Sequence, residues 1–460
     1  MSICKVFIPF GALGAGILEE AFAKGMELGP DIISCDAGST DSGPYYLGTG
    51  KVKYARKSVK NDLKMIVVAA HKSKIPITIG SASTSGTDGG VDELVEICRE
   101  VCREENISAK ITKIYSEQSP DLLKERYNAG MIKPLQAAPD ITQATFDECS
   151  HIVALAGVEP FVKALQDGAD IVICGRATDT AVIAALPILM GCNEAAAWHG
   201  AKVCECGCIC TTIPSGGGVF LTVDDDSFTV EATGEGSTCT PYTISAHLLY
   251  ETSDPIKMVE PGVVVDTSEA TYEQLENGRV LVKNSKIENT TPYTMKLEGA
   301  SPVGFQTVII VGIRDRDIMK DPMTWINTLS AFMDQRLPKL GFDPTDYHYS
   351  IRPYGWNAVY GGPVPKGFVP NELGIVFVAT AKTQELATQV AKAFNPMLLH
   401  FPMDQKKQLP TFAFPFSPSE IERGQFYEFR LNHVVELNDP LELVRFASET
   451  ITGGKGLECE

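Results

Sequence analysis

The chain has 460 residues, of which 44% are hydrophobic and 21% charged, as is usual for a globular protein with a large core. Its formal net charge of −18 argues against nucleic acid and anionic membrane surfaces as partners, and its short apolar runs argue against a membrane span. The chain has 13 cysteines, an odd number, and it begins without an apolar signal region. Both features predict a reduced, cytoplasmic protein instead of a disulfide framework.

Residues 1–195 alternate predicted strands with predicted helices, which favours an α/β domain with a mostly parallel sheet. Four strands run directly into loops rich in glycine, hydroxyl or acidic residues, at 11–16, 36–44, 80–86 and 174–179. In an open parallel sheet such loops gather at the carboxyl ends of the strands, beside helix N-termini that favour anions. The sequence therefore predicts a site for a small anionic ligand at this edge of the sheet.

Residues 196–452 have a different pattern, in which short predicted strands are separated by Gly, Asp and Asn. One of these strands is expected over 202–213 and a longer one over 305–313, followed by a helix over 322–337 and a strand–helix pair over 371–394. This pattern predicts an α+β domain over 196–452, and residues 453–460 are expected to form a mobile tail.

The loop after the second strand contains two carboxylates, Asp36 and Asp41, on either side of a small turn. Such a pair is able to bind a divalent cation such as Mg²⁺, to share a proton, or to accept backbone N–H groups of the turn. The loop also supplies Ser39 and Thr40, and Tyr45 follows as a candidate proton donor.

Arg176 lies at the strand-to-helix junction of the segment CGRATD, residues 174–179. Its guanidinium is suited to a bidentate grip on a carboxylate or phosphate, and the alternative is an ion pair with Asp179, three residues further on. The predicted substrate-binding residues are Arg176, Ser39, Thr40, Gly80, Ser81, Ser83, Thr84, Asp179 and Tyr45.

Four cysteines alternate along the predicted strand over 202–213, namely Cys204, Cys206, Cys208 and Cys210. Alternate residues of one strand stand roughly 6.7 Å apart, whereas the sulfurs of a tetrahedral zinc site are about 3.8 Å apart. We therefore expect these cysteines to serve as small buried hydrophobic residues.

Three further residues are candidates for proton transfer, namely His199, Glu205 and His247. His247 shares one face of a predicted helix with Tyr250 and Glu251, and a polar face in an apolar segment costs stability unless its groups are paired or used. The predicted catalytic residues are Glu205 and His247 as the proton-transfer pair, with Asp36 or Asp41 orienting a hydroxyl, an amine or a divalent ion.

Motifs for the common nucleotide cofactors are absent from the sequence. No GxGxxG fingerprint and no GxxxxGK[ST] loop occurs, and the glycines at 11, 14 and 16 are in the wrong order for the dinucleotide motif. No NAD, FAD or ATP is therefore expected, and a divalent cation is the one cofactor that the residues suggest.

Several long segments, at 174–179, 245–251, 260–266 and 432–436, match in order a known protein family. On these segments the chain resembles the acyclic-terpene-utilisation (AtuA-like) family over most of its length. The loop DAGSTDSGPYYLG at 36–48 is similar to that of one subgroup. The resemblance implies a role in degrading acyclic terpenoids as CoA esters, and a small companion protein.

The leading hypothesis from the sequence is an enzyme of carboxylic-acid catabolism. It is expected to be a hydro-lyase or ammonia-lyase acting alpha-beta to a carboxylate of a small di- or tricarboxylic or amino diacid. The alternatives are a lyase or hydratase of branched acyl-CoA thioesters, with phosphates held by Lys51, Lys53, Arg56 and Lys57, and a binding subunit that requires the companion protein. A homo- or hetero-oligomer is expected in each case.

Overall fold

The computed structural model describes residues 2–250, 252, 254–404 and 406–453. The chain divides into two compact units. The first comprises the described residues up to Ser301 and from Phe429 onward, and the second comprises Pro302–Glu428. Residues 195 and 196, where the sequence predicts a domain boundary, lie inside a helix of the first unit, and residues 454–460 of the predicted tail lie outside the described residues.

The strands are short in the first half of the chain and longer in the second. They are β1 (Cys4–Ile8), β2 (Ile32–Asp36), β3 (Ile77–Gly80), β4 (Ala109–Tyr115), β5 (Ile132–Pro134), β6 (His151–Ala154), β7 (Ile171–Cys174), β8 (Val219–Val223), β9 (Ser227–Ala232), β10 (Lys257–Glu260), β11 (Val263–Asp266), β12 (Thr271–Gln274), β13 (Val280–Lys283), β14 (Lys286–Asn289), β15 (Tyr293–Ile313), β16 (Tyr347–Tyr354), β17 (Leu373–Ala381), β18 (Ile421–Leu437) and β19 (Arg445–Ile451).

The helices of the first unit lie mainly between the strands of its first half. They are α1 (Glu19–Glu27), α2 (Pro44–Thr49), α3 (Arg56–Ser73), α4 (Asp88–Glu104), α5 (Pro120–Asn128), α6 (Gln143–Glu148), α7 (Glu159–Gln166), α8 (Asp179–Leu189), α9 (Glu194–Cys204) and α10 (Pro241–His247), and the second unit contains α11 (Arg316–Lys320), α12 (Pro322–Arg336) and α13 (Gln384–His400). No helix in the described part of the chain has the length and apolar character that a membrane span requires.

The main sheet of the first unit has, among the described residues, the strand order β12-β13-β9-β8-β1-β2-β3-β7-β4-β19. The five central strands β1, β2, β3, β7 and β4 are parallel, as the alternating pattern predicts. Strands β8, β9, β13 and β12 continue the sheet on one side and β19 on the other, and all of these pair antiparallel. The fold is therefore α/β, but the sheet is mixed, and the prediction of a mostly parallel sheet is not confirmed.

The central strands are buried on both faces, which explains their continuous apolar sequences. Neighbouring residues such as Val6 and Phe7 belong to different hydrophobic clusters, because successive side chains of a strand point to opposite faces. Helix α4 covers one face with a stripe that includes Leu94, Cys98 and Val101. The carboxyl ends of the parallel strands are left as the edge at which the loops gather.

The second unit has its own core, in which β17 alternates buried and half-buried residues against α12 and α13. Trp325 of α12 is fully buried, and its indole N–H donates to the carbonyl of Phe401 at 2.9 Å. The predicted strand–helix pair over 371–394 is confirmed here by β17 and α13.

The first glycine-rich loop is filled by a side chain of the protein itself. The backbone N–H groups of Gly14 and Gly16 donate to Asp62 Oδ2 at 2.8 and 3.2 Å, and that of Ile17 donates to Oδ1 at 3.2 Å. Asp62 is buried in α3, so its carboxylate occupies the position that a small anion would take. This loop is therefore a structural tie and not a ligand site.

His199 lies in the core of the first unit, which is not where a proton-transfer residue would meet substrate. Its Nδ1 is 2.8 Å from Ser285 Oγ and its Nε2 is 3.3 Å from the Tyr272 hydroxyl, while the ring packs edge-on against Phe228. Burial lowers the pKa of His199 from 6.5 to about 3, so the imidazole is neutral in the native protein.

This buried imidazole predicts a loss of stability in acid. As the pH falls below about 6.5 the unfolded chain binds a proton at His199 that the native state refuses until about pH 3, so the free energy of unfolding decreases over that window. Urea unfolding of His199→Gln at several pH values is expected to show a smaller decrease, with exposed His71→Gln as the matched control. Equal pH dependence of the wild type and His199→Gln would contradict this account.

Candidate active site

A polar cavity of about 310 Å³ lies in the first unit, next to the carboxyl end of β7. Its lining includes the charged residues Arg176, Asp179, Lys202, Glu205, Glu260 and Glu298. The loop after β7 supplies Arg176 and the first residue of α8 is Asp179, while the last turn of α9 and its C-cap supply Lys202 and Glu205. Strands β10 and β15 supply Glu260 and Glu298.

Arg176 is buried and engaged by the protein itself. Its Nε lies 3.2 Å from Glu298 Oε2, and its Nη1 donates to the carbonyl of Gly38 at 3.3 Å. Burial opposes the charge of Arg176, but Glu298 above all, with Asp179 and Asp36, outweighs burial and raises the pKa of the guanidinium. The guanidinium that the sequence assigns to a substrate is therefore engaged by Glu298 and by the Gly38 carbonyl.

Asp36 and Asp179 form an interacting carboxyl pair beside Arg176. Burial raises the pKa of Asp36 well above its usual range and Asp179 raises it further, against the opposing effects of Arg176 and the Gly38 N–H, which donates to Asp36 Oδ2 at 2.8 Å. The pKa of Asp179 is also raised by burial, against Arg176 and Lys202. Because like charges this close do not both ionise readily, the pair titrates as a unit and retains a proton more readily than either carboxyl alone.

Lys202 and Glu205 form a second charged pair in the cavity. The Lys202 ammonium donates to Glu205 Oε1 at 2.5 Å, and both side chains are largely buried. Burial raises the pKa of Glu205 to about 8, in spite of the opposing charge of Lys202. Burial also raises the pKa of Glu260, and the nearby Thr180 and Thr178 oppose that rise.

Cations and carboxyl groups therefore face one another in and behind this cavity. The carboxyls of Asp36, Glu205 and Glu260 have raised pKa values, which reduces the negative charge that they contribute near neutral pH. Lys296 is half-exposed and reaches Glu298 at 3.3 Å, so it places positive charge at the rim. The cations include Arg176, Lys202, Lys257 and Lys296, and the carboxyls include Asp36, Asp179, Asp254, Glu205, Glu260 and Glu298. The arrangement is suited to binding a polar ligand and to moving protons.

Of the predicted loop around Asp41, only part reaches the cavity. Thr40 lines it, whereas Ser39 caps a short 3-10 turn by accepting the Asp41 N–H at 3.1 Å. The Asp41 side chain is exposed and accepts a hydrogen bond from the Tyr250 hydroxyl at 3.4 Å, and half-buried Tyr45 stacks edge-on against Tyr46. Asp36 and Asp41 therefore have different surroundings, and the partner of Asp36 is Asp179.

The hydroxyls of the Gly80 loop bind backbone groups. Ser81 donates to the Ala177 carbonyl at 3.3 Å, Ser83 to that of Gly90 at 2.8 Å, and Thr84 to that of Ala37 at 3.4 Å. All three residues have positive φ angles, of 48°, 57° and 69°, which is rare outside glycine and costly for a β-branched residue. Gly80 itself ends β3, where a Cβ would stand 2.4 Å from Val182 Cγ2. The loop thus shapes the edge of the sheet, and Thr84 also lines a small cavity with Arg176.

His247 and Glu205 are brought together, as the sequence predicts. Ligand atoms of Glu205, Cys206 and His247 all lie within 4.8 Å of one another. Helix α10 ends at His247, whose ring stacks on Tyr250 with centroids 5.9 Å apart, and Glu251 lies outside the described residues. Burial, aided by Lys202, lowers the pKa of His247 to about 4, so its ring is neutral near neutral pH.

The strand predicted over 202–213 is wrong. Helix α9 continues to Cys204, and a 3-10 turn covers Gly207–Cys210. The alternation of cysteines suggested a two-residue period, but Ala195–Ala197 and the Asn193 cap, which accepts the Ala196 N–H at 2.9 Å, favour a helix that runs through the segment. Cys204 and Cys210 are buried, as expected of small hydrophobic residues, whereas Cys206 and Cys208 are only half-buried, which the sequence did not predict.

The predicted basic run is not part of the cavity lining. Arg56 is paired with Glu93 at 3.0 Å and Glu100 at 2.6 Å on α4, and Lys53 donates to Ser42 Oγ at 2.8 Å. Lys51 and Lys57 are exposed. The sequence reasoning missed Lys202, Glu260, Lys296 and Glu298 as cavity residues, although Glu260 opens one of the segments that carry the family resemblance.

Comparison with known proteins identifies one family. The family model described as "Acyclic terpene utilisation family protein AtuA" matches residues 46–413. No curated protein and no solved structure matches the chain. The subgroup indicated by the loop at 36–48 stays a prediction. Since the match covers most of the chain, including Arg176, Asp179, Lys202 and Glu298, the protein belongs to the AtuA family of acyclic terpene utilisation.

Proposed function

We propose that the protein is a lyase or hydratase that removes or adds water or ammonia next to a carboxylate of a small di- or tricarboxylic or amino diacid. The observation that carries the proposal is the carboxyl pair of Asp179 and Asp36 at a polar cavity of about 310 Å³. A pair that holds a proton between two buried carboxyls is a general base and acid suited to neutral pH.

Binding of the substrate carboxylates falls to the cavity's lysines. Lys202 lines the cavity from α9, and half-exposed Lys296 and exposed Lys257 line it as well. Arg176, predicted to bind substrate, instead holds Glu298 and the Gly38 carbonyl in place. An ammonium beside a substrate carboxylate also stabilises the negative charge that develops when the neighbouring carbon loses its proton.

Residues of the cavity accept the proton that the elimination removes and supply the proton that the leaving group takes. The ionised form of the pair, through Asp179, takes the proton alpha to the carboxylate, and the electron pair of that C–H bond forms the new double bond. The bond from the neighbouring carbon to the hydroxyl or amine breaks, and the leaving group takes a proton from Glu260, whose raised pKa keeps it available as an acid. Addition runs through the same steps in reverse.

A ligand panel tests the substrate class. The purified chain is heated with dicarboxylic, hydroxy and amino diacids, and with CoA and branched acyl-CoAs, each with and without Mg²⁺. A ligand at a hundredfold its Kd adds about 2.7 kcal/mol of stability, which shifts the melting temperature measurably. We expect shifts with small diacids, followed by turnover seen as formation or loss of a C=C bond.

The other outcomes contradict this proposal in different ways. A shift confined to CoA species would favour the acyl-CoA thioester lyase that the family's name suggests. Binding of diacids without any turnover would favour a binding subunit that depends on a companion protein. The highly polar cavity lining favours shifts with small diacids over shifts with CoA species, since a branched terpenoid chain requires apolar walls.

A further inference from the structure

The turn after α9 and the end of α10 bring together three side chains that are typical metal ligands. Glu205 is the C-cap of α9, Cys206 follows it, and His247 is the last residue of α10. A carboxylate oxygen, the Cys206 sulfur and an imidazole nitrogen all lie within 4.8 Å of one another. Ligand atoms around a tetrahedral zinc ion stand about 3.3–3.8 Å apart, so a small side-chain adjustment would complete the set.

His247 supplies a second observation that points to a ligand. The residue is only 4% exposed, yet neither ring nitrogen has a hydrogen-bond partner among the described residues. A buried polar group without a partner costs roughly 1–3 kcal/mol, and a metal ion would satisfy one of these nitrogens. The geometry of the turn is also fixed locally, because Gly207 has φ +61° and a Cβ there would stand 2.9 Å from the Gly11 nitrogen.

The charges around the triad are compatible with a dication. Two anionic ligands, a carboxylate and a thiolate, balance the charge of a divalent ion. Lys202 opposes a cation, but it donates to Glu205 Oε1 and so orients the carboxylate. Nitrogen and sulfur ligands favour zinc-class ions, whereas Mg²⁺ prefers oxygen ligands alone.

We infer that Glu205, Cys206 and His247 bind a divalent transition-metal ion of the zinc class, with Glu205 placing it at the wall of the polar cavity. A three-ligand site next to a cavity is the arrangement of a zinc ion that keeps one position for water or substrate. The metal site does not depend on the lyase activity proposed above, because the proposed proton transfer uses none of its three ligands, Glu205, Cys206 and His247.

Cobalt binding tests the site directly. The full chain is freed of metal with a chelator and titrated with Co²⁺, and one ion per chain is expected, with a sulfur-to-cobalt charge-transfer band. Cys206→Ser is expected to lose that band, and His247→Gln to bind at least about tenfold more weakly, since even loss of a ligand's hydrogen-bond partner costs 10–100-fold. Cys208→Ser is the matched control, because Cys208 is equally half-buried and its thiol donates to the Pro214 carbonyl.

A second measurement uses only the wild-type chain, so it tests the site even if the Cys206 or His247 variant does not fold. Alkylation of Cys206 in the wild-type chain, followed by peptide mass mapping, is expected to slow when Zn²⁺ is added, while alkylation of Cys208 stays unchanged. Absence of Co²⁺ binding, a sulfur band that survives in Cys206→Ser, or alkylation of Cys206 that Zn²⁺ does not alter would each overturn the site. Because these readouts are independent of turnover, failure of the lyase proposal would leave them unaffected.

Discussion

Replacing Arg176 by alanine is expected to destabilise the protein by about 3 kcal/mol and not simply to weaken substrate binding. The substitution leaves the buried carboxylate of Glu298, which is 5% exposed, without the guanidinium that lies 3.2 Å away. Removing one partner of a buried ion pair costs about 3–5 kcal/mol, and the lower end applies because Lys296 still reaches Glu298 at 3.3 Å. Urea unfolding of the wild type and Arg176→Ala measures the difference.

The control for this prediction is an exposed arginine. The Arg56 side chain is 45% exposed and pairs with Glu93 and Glu100, so Arg56→Ala is expected to cost only about 0–1 kcal/mol. The double variant Arg176→Met with Glu298→Leu, which removes both charges, is expected to recover much of the loss. If Arg176→Ala unfolds like the wild type but raises KM sharply, Arg176 is the substrate ligand that the sequence predicts.

Replacing Asp179 by asparagine is expected to lower kcat by about 10²–10⁴-fold, the usual contribution of a general base, with a much smaller change in KM. Asparagine keeps the size of the side chain at the start of α8 but cannot accept the proton. The change removes the charge that raises the pKa of Asp36, so folding should remain near the wild-type level. Steady-state kinetics on the diacid found in the ligand panel measures both parameters.

The pH profile distinguishes a catalytic role of Asp179 from a structural one. In the wild type kcat/KM is expected to rise with pH as the pair loses its proton, and to fall when the acid Glu260 is deprotonated. The residual activity of Asp179→Asn should lack this rising limb. Asp121→Asn, exposed in the first turn of α5, is the control and should match the wild type. Retention of the rising limb in Asp179→Asn would assign the base elsewhere.

Sequence patterns predicted those features of the fold that depend on residues close together in the chain. The stripe of α4 and the strand–loop–helix at Arg176 were both visible, because periodicity and turn chemistry are local. The partner of Arg176 was not, since Glu298 is more than a hundred residues away on a strand whose pairing no short pattern fixes. The same holds for Asp36, whose expected partner Asp41 is near in sequence while its actual partner Asp179 is near in space.

The mixed sheet was missed for a related reason. Strand β8 pairs antiparallel with β1, although more than two hundred residues separate them. Local composition changes near residue 195 because the chain passes from helix-linked parallel strands to hairpins, and such a change resembles a boundary between domains. The connections between strands change there from helices to hairpins, while the same sheet continues through β8 and β9.

The carboxylate of Asp62 in the first glycine-rich loop bears on how such loops diversify. A loop of this composition is equally able to recruit a phosphate from solution or to be closed by an acid on a neighbouring helix, and the two cases differ at a single position far along the chain. In a protein with this fold, loss of that one acid would leave the N–H groups of the loop open to an anion from solution, with no change in the loop itself.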